Sequence, residues 1–323
     1  MHLHENNELF ENAIVYTAQQ KKLSELYIEK DYWVTLALYT LFTSEIGNQI
    51  VFKGGTALSK CFQLIERFSE DIDLSVLRQE GESDNQLKAK NKKVTECVSG
   101  VLPEIEIEGI TTKMGKNRKT AHQYIKGFSG SMGQVRSTII VESTWLGNFE
   151  PNTSATVNCY IAEMMLANGQ KQLVEQYQLQ SFPVKVLSKE RTLCEKIMSL
   201  VRFSFTNDPI TDLSNKIRHA YDIHMMLKDQ ALRSFFADSA FEDMLHRVGS
   251  DDVLSYRNNN NWLSNHPATA VIFSQTDSIW PQIRNTYHTT FKDLVFGNLP
   301  KEEEITDSLH KVSTRLESIQ WIM

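Results

Sequence analysis

The segment Gln49-Ile50-Val51-Phe52-Lys53-Gly54-Gly55-Thr56 restricts the fold more than any other part of the sequence. A short β-branched and aromatic run is stopped by paired glycines, so a strand ends where the backbone can approach a ligand without a Cβ in the way. Thr56 then opens a helix from its N-cap or first turn, where orphan N–H groups and the positive end of the helix dipole favour a phosphate. Gly54, Gly55 and Thr56 are therefore candidates for seating a phosphate-bearing ligand. A second strand follows at Asp71-Ile72-Asp73-Leu74-Ser75-Val76. Its alternation puts Ile72, Leu74 and Val76 on one face and Asp71, Asp73 and Ser75 on the other. With Cα atoms about 7 Å apart, two such carboxylates repel by roughly 2 kcal/mol at an effective dielectric of about 20. A bound cation removes that repulsion, and an all-oxygen ligand set suits Mg²⁺, with Mn²⁺ as a substitute, rather than zinc. Alone, a glycine pair could simply make a turn, and an Asp-x-Asp could line the solvent face of an edge strand. The combination is the more specific signal.

Strand, Gly-Gly-Thr, helix and acidic strand together resemble the active-site unit of the DNA polymerase β-type nucleotidyltransferase superfamily. More narrowly, Phe52-Lys53-Gly54-Gly55-Thr56-Ala57-Leu58-Ser59-Lys60 with Arg67-Phe68-Ser69-Glu70-Asp71-Ile72-Asp73-Leu74 is similar to the AbiEii/AbiGii toxin family. Those are nucleotidyltransferases of bacterial abortive-infection and toxin–antitoxin systems. Glu29-Lys30-Asp31-Tyr32-Trp33-Val34 resembles the family's N-terminal helical signature. Glu195-Lys196-Ile197 resembles its later lysine motif, and Arg218-His219-Ala220-Tyr221-Asp222-Ile223 its later aspartate motif. The stretch between the glycines and Asp71 is longer than in the superfamily at large, and His219 stands where the family is often acidic.

The resemblance implies an α+β fold: a polymerase β-like core of mixed sheet and flanking helices, followed by a helical C-terminal domain. It also implies an NTP substrate, a divalent metal, an RNA acceptor with a tRNA 3′ end foremost, and a cognate antitoxin. Lys196 is carried over as a counter-charge for the triphosphate, and Asp222 by position. Without the resemblance, Lys196 would be a lysine lying over its helix's apolar stripe with its head in water. Asp222 would form an exposed pair with Arg218, four residues before it on the same helix face.

The superfamily's chemistry uses a third carboxylate on a neighbouring strand. Glu142, ending the apolar run Thr138-Ile139-Ile140-Val141, ranks ahead of Glu106 and Glu108, which alternate in Glu104-Ile105-Glu106-Ile107-Glu108. The expected metal set is thus Asp71, Asp73 and Glu142. They would hold two ions roughly 3.5–4 Å apart, one activating the attacking hydroxyl and one neutralising pyrophosphate. Arg67 and Ser69 flank the acidic strand closely enough to touch phosphate or base, and Lys60 joins them as a nucleotide-binding candidate. For Lys30 and Asp31, bracing of the site and an ordinary charged helix turn both remain open.

Bulk properties set the limits. At 323 residues with 41% hydrophobic and 23% charged content, the chain has ample core for one large domain or two. A formal net charge of −6 argues against a surface wrapped broadly around nucleic acid and leaves room for local basic patches. Two such patches are Lys88, Lys90, Lys92 and Lys93, and Lys113, Lys116, Arg118 and Lys119. The acidic balance also keeps open transfer to a protein or small molecule, and a nucleotide-binding regulator without turnover is a third possibility. Cys61, Cys97, Cys159 and Cys194 make no Cys-x-x-Cys pair, which suggests reduced thiols rather than a zinc knuckle or a disulfide framework. The apolar stretch from Trp33 to Phe42 is shorter than the ~20 residues of a membrane span. With Glu5, Glu8 and Glu11 at the N-terminus there is no signal-peptide pattern, and a cytoplasmic location is expected.

Along the chain, two helical pieces are expected over 5–45, alternating strands and helices over 46–188, and helices from 189 to 323. The boundary of the nucleotidyltransferase domain (1–188, core 46–188) with the C-terminal domain (189–323) is placed at Ser188, a helix cap after the strand Pro183–Leu187. A β run is expected at Glu104–Ile110, a flexible turn at Gly127–Gly133 and a polar loop at Arg257–Pro267. Leu193, Ile197, Leu200 and Val201 form one apolar stripe, and Leu213, Ile217, Ala220, Tyr221 and His224 another.

Overall fold

The computed structural model describes residues 1–129, 136–255 and 259–322; the turn expected at 127–133 and the loop expected at 257–267 lie partly outside these. The chain forms two compact units: residues 1–62, 68–145 and 152–186, and residues 63–67, 146–151 and 187–323.

In the first unit the two N-terminal helices are α1 (Asn7–Lys21) and α2 (Glu25–Phe42), capped by Asn6 and Ser24, which accept from the N–H groups of Leu9 and Leu26. Then follow β1 (Ile50–Lys53), α3 (Gly54–Lys60), β2 (Ile72–Val76), α4 (Asp84–Ser99), β3 (Glu104–Ile105), β4 (Asn117–His122), β5 (Ile139–Thr144), β6 (Asn152–Val157), α5 (Tyr160–Ala167), α6 (Lys171–Gln176) and β7 (Phe182–Leu187). The strands form one mixed sheet in the order β3-β4-β5-β2-β1-β7-β6. Pairing is parallel at β1/β7 and β2/β5, and antiparallel at β1/β2, β3/β4 and β4/β5. The expected α+β class with flanking helices is therefore the observed one.

The β2 alternation holds: Ile72, Leu74 and Val76 are buried with Phe52, Ile139 and Val141. α2 is buried continuously from Ile28 to Leu38, including the charged run Glu29-Lys30-Asp31. The β run expected at Glu104–Ile110 shrinks to two residues. Beyond Ile105 the Thr111 hydroxyl accepts from the N–H of Ile107 and donates to its carbonyl, and Gly109 takes a φ of +74°. A local side-chain bond has replaced the ladder there.

The second unit is helical: α7 (Lys189–Ser204), α8 (Pro209–Asn215), α9 (Ile217–Met226), α10 (Gln230–Ala237), α11 (Ser239–Ser255), α12 (Val271–Ser274), α13 (Thr276–Thr286) and α14 (Glu302–Glu317). Ser188 caps α7 by accepting from the Arg191 N–H. Both apolar stripes are buried, although the second spans α8 and α9, which break at Lys216.

Candidate active site

Strand register assembles the acids. Asp73 on β2 stands opposite Lys53 on β1 and opposite Glu142 on β5, and Glu142 in turn stands opposite Lys119 on β4. A row Lys53, Asp73, Glu142, Lys119 thus crosses four strands, with the two carboxylates side by side in its middle. Glu142 accepts from Asn117 Nδ2 at 2.9 Å and pairs with Lys119 Nζ at 3.3 Å. Burial raises its pKa, but Asn117 and the Lys119 and Lys53 charges outweigh that and hold it below the usual range. For Asp73 the Lys53 and Lys119 charges act in the same direction but do not prevail. Burial first, then the Asp71 and Glu142 carboxylates, push it up to about 7. Glu106 and Glu108 are exposed beyond the end of β3, with Glu106 paired to Lys113.

Gly54 is fitted to Asp73. It ends β1 with a φ of +83°, and a Cβ built there would lie 2.2 Å from Asp73 Oδ2. Only a residue without a side chain lets the glycine turn and this carboxylate coexist. Gly54→Ala is accordingly expected to displace Asp73 and cut activity roughly 100-fold or more, as an ångström-scale misplacement does. Steady-state kinetics on a variant with an unchanged circular dichroism spectrum would check this.

Asp71 lies just before β2 and is half-buried, with Arg136 Nη1 at 3.2 and 3.4 Å from its two oxygens. Arg136 is placed from beneath. Its N–H donates to Glu70 Oε1 at 2.9 Å, while the fully buried Lys30 binds Glu70, the Arg136 carbonyl and, at 2.9 Å, the Thr138 carbonyl. Lys30 is thus a brace, paired because an unpaired ammonium in this core would be prohibitive.

The other candidates have partners within the protein. Thr56 is the third residue of α3 and its hydroxyl points inward, donating to the Asp71 carbonyl at 2.6 Å and lying 3.0 Å from Ser69 Oγ. It and Ser69 hold the glycine turn to the start of the acidic strand instead of facing a phosphate. Lys60 bonds to Asp31 at 2.5 Å, Thr35 Oγ1 at 2.8 Å and the Asn158 carbonyl at 3.2 Å. All three ammonium donors are taken, and Asp31 is buried as its partner, also accepting from the Tyr160 N–H.

Arg67 belongs to the second unit and is buried there. Its Nε and Nη2 each donate to Asp222 at 2.7 Å, a bidentate pair, instead of reaching a nucleotide. Lys196 donates to the same carboxylate at 2.7 Å and is itself buried, so its head is not in water. Asp222, which without the resemblance would be an exposed partner of Arg218, is buried and clasped by these two cations. Burial raises its pKa, but the Arg67 and Lys196 charges overcome that and hold it well below the usual carboxylate range.

Among the described residues, no three or more His, Cys, Asp or Glu side chains are drawn together closely enough to hold a metal ion as they stand. The donor chemistry at Asp73 and Glu142 nevertheless fits a hard cation: adjacent carboxylate oxygens, one of them short of positive charge, with Asp71 on the preceding turn.

The sequence profile of the nucleotidyl transferase AbiEii toxin family, a type IV toxin–antitoxin system, matches residues 36–318. The chain belongs to the AbiEii toxin family. As a member it is a nucleotidyltransferase and a toxin, which implies an NTP substrate and a cognate antitoxin. Comparison with curated proteins finds no match. Among solved structures it is similar to MenT4, a nucleotidyltransferase toxin from Mycobacterium tuberculosis H37Rv, at 15% identity and a TM-score of 0.44, covering 93% of this chain and 98% of that one. No helix among the described residues of this AbiEii toxin is long and apolar enough to cross a membrane.

Lys53, Asn117, Lys119 and Arg136 escaped the sequence reading as site residues. Lys53 adjoins Gly54 and was within reach of it. Lys119 was visible only as part of a basic patch, which the structure disperses: Lys113 pairs with Glu104 and Glu106, Arg118 with Thr95, and Lys119 with Glu142.

Proposed function

We propose that this AbiEii toxin transfers a nucleoside monophosphate from an NTP to an RNA 3′ end, with tRNA as the acceptor, using Mg²⁺ held by Asp71, Asp73 and Glu142. The observation that carries this reading is the pair Asp73 and Glu142 in direct register against the glycine turn. Mg²⁺ bound there would lower the pKa of an attacking hydroxyl and offset charge on the leaving pyrophosphate.

The chain's own residues do the rest. Gly54 and Gly55 let backbone amides approach the triphosphate, and Lys53 and Lys119 bound the acidic pair so that excess negative charge is confined to its centre. Arg136, which pairs with Asp71, would offer its guanidinium to a phosphate oxygen if that carboxylate held a cation. Arg136→Ala is then expected to raise the KM for NTP about tenfold, the equivalent of one charge-assisted contact, with a smaller change in kcat; initial rates over an NTP series would show it. Lys196 and Asp222 keep the roles given by the family resemblance, which alone supports them.

Incubating the protein and an Asp71→Ala/Asp73→Ala variant with each labelled NTP, total RNA and Mg²⁺ tests the reading. Label should enter RNA with the wild type alone and vanish with EDTA. Label entering protein instead would move the acceptor to that class. Binding of NTP with no transfer at any Mg²⁺ or Mn²⁺ level would overturn the assignment, and toxicity that persists in the double variant would detach toxicity from transfer.

A further inference from the structure

The second unit contains a cleft of about 790 Å³ between the end of α9, α10 and α14, lined by His224, Leu227, Lys228, Arg233, Phe236, Lys311 and Arg315 together with hydroxyl and imidazole groups of α14. None of its described lining residues is acidic, yet four are permanent cations in a chain of net charge −6. It shares no residue with the carboxylate row.

The cations differ in availability. Arg315 is fixed as part of the wall: its guanidinium donates to the carbonyls of Phe236 at 2.9 Å and Asp238 at 3.0 Å and to Ser318 Oγ at 2.8 Å. Lys228, Arg233 and Lys311 are exposed, one from each of the three lining segments. On α14 and its C-cap Ser318, Lys311, Thr314, Arg315 and Ser318 follow helical spacing, so cations and hydroxyl donors share one face.

His224 lies at the floor. Ser308 Oγ donates its one proton to the Glu304 carbonyl at 3.0 Å, so at 2.8 Å it accepts from His224 Nδ1. The proton of the neutral ring is therefore on Nδ1, leaving Nε2 a bare acceptor, buried and without a partner. Burial, with the Lys228 charge next, lowers this imidazole's pKa and keeps the ring neutral.

We propose that this cleft binds the phosphodiester backbone of a single-stranded RNA segment. The three exposed cations and the α14 hydroxyls would meet phosphate oxygens, and Leu227 and Phe236 would provide an apolar wall for a base. The volume lies within the ~300–1,000 Å³ of small-ligand pockets, which suits one or two nucleotides better than a partner helix. An acidic peptide would also satisfy the cations, and the poly-glutamate arm of the test separates it from RNA. The inference rests on the proposal that the toxin's acceptor is RNA, which it extends by placing a backbone contact in the helical unit.

Fluorescence anisotropy of the full chain with a labelled single-stranded RNA of about twelve nucleotides, without NTP or divalent ions, tests it. Lys228→Gln/Arg233→Gln/Lys311→Gln should weaken binding roughly tenfold or more, and should lower the slope of log K against log salt by about 2, or ~0.7 per lost phosphate contact. Lys311→Gln alone should lower it by about 0.7, which keeps the test decisive if the triple variant misfolds. Unchanged affinity and slope in variants with an unaltered Tm would overturn the proposal. So would a loss seen with ATP or poly-glutamate but not with RNA, which would give the cleft to a free nucleotide or an acidic protein. Because binding is read without transfer, failure of RNA to take label in the transfer assay would refute the acceptor and leave this result standing.

Discussion

Asp73→Asn is expected to reduce nucleotidyl transfer at least ~1,000-fold, about 4 kcal/mol of transition-state stabilisation, while making the metal-free protein more stable at pH 8. Both follow from the same crowding. Asp73 lies beside Glu142 and near Asp71, and burial with those two charges raises its pKa from 3.8 to about 7. For an acid raised on folding, the unfolded chain ionises first. The penalty is therefore absent below about pH 3.8, grows between that and pH 7, and is complete above pH 7. The full linkage value would be roughly 4 kcal/mol, but Asp73 keeps part of its surface in water and faces Lys53, so ~1–2 kcal/mol is expected. That corresponds to a few degrees at about 2–4 °C per kcal/mol for a chain of this size. Thermal melts in EDTA should give coincident Tm values for variant and wild type near pH 4 and a gap opening towards pH 8. Adding Mg²⁺ should raise the wild-type Tm and leave the variant unmoved. A variant that melts lower than wild type at pH 8 would mean that Lys53 already neutralises Asp73, and the uncompensated charge that favours a cation would be gone.

The acidic centre was largely legible because its information is local. Glycine stops a strand, alternation of period two sets Asp73 apart from Ile72 and Leu74, and an acid closing an apolar run singled out Glu142, although β5 continues past it to Thr144 and Asp71 precedes β2. The cations could not be read in the same way. Lys60 finds Asp31 across 29 residues of sequence and Arg67 finds Asp222 across 155. Whether such a side chain meets a phosphate or a buried carboxylate depends on which helix is laid against it, and neither composition nor periodicity reports that. Thr56 shows the limit at short range. Its place in the first turn was foreseen, but the direction of its hydroxyl was set by the Asp71 carbonyl, which β2 brings within 2.6 Å. For Lys30 and Asp31 the sequence left a brace and an ordinary charged helix turn both open; α2 is buried around them and each is neutralised by a partner from another element. The two family motifs around Lys196 and Asp222, separate in sequence, are physically one object: a carboxylate shared by Lys196 and Arg67.

That shared carboxylate carries the largest stability effect expected in the second unit. Asp222 is fully buried between Arg67 and Lys196, whose side chains are 2% and 8% exposed. Asp222→Asn keeps the shape but leaves two buried cations facing a neutral amide, and breaking a buried pair in this way costs roughly 3–5 kcal/mol. The pH dependence has the opposite sign to that of Asp73. A carboxyl held below its usual value stabilises fully above the unfolded pKa near 3.8, and that contribution is lost as pH falls through the lower folded value. Urea titrations should therefore show a large wild-type advantage at pH 7 that narrows only below about pH 4. The double variant Asp222→Asn/Lys196→Met should recover part of the loss, because one of the two stranded charges is removed and its stem is replaced by an apolar chain. Strong non-additivity of this kind marks a single network. Lys196→Met alone leaves the Arg67–Asp222 bidentate pair intact, so it should fold with a modest loss of stability. Its transfer rate then separates a catalytic lysine from a structural one: a kcat drop far exceeding the loss in folded fraction assigns Lys196 to the reaction, and a parallel decline confines it to the core. Asp222→Asn melting within about 1 kcal/mol of wild type would fall inside the range of a solvent-screened pair, and the buried triad would not be what holds α7 to α9.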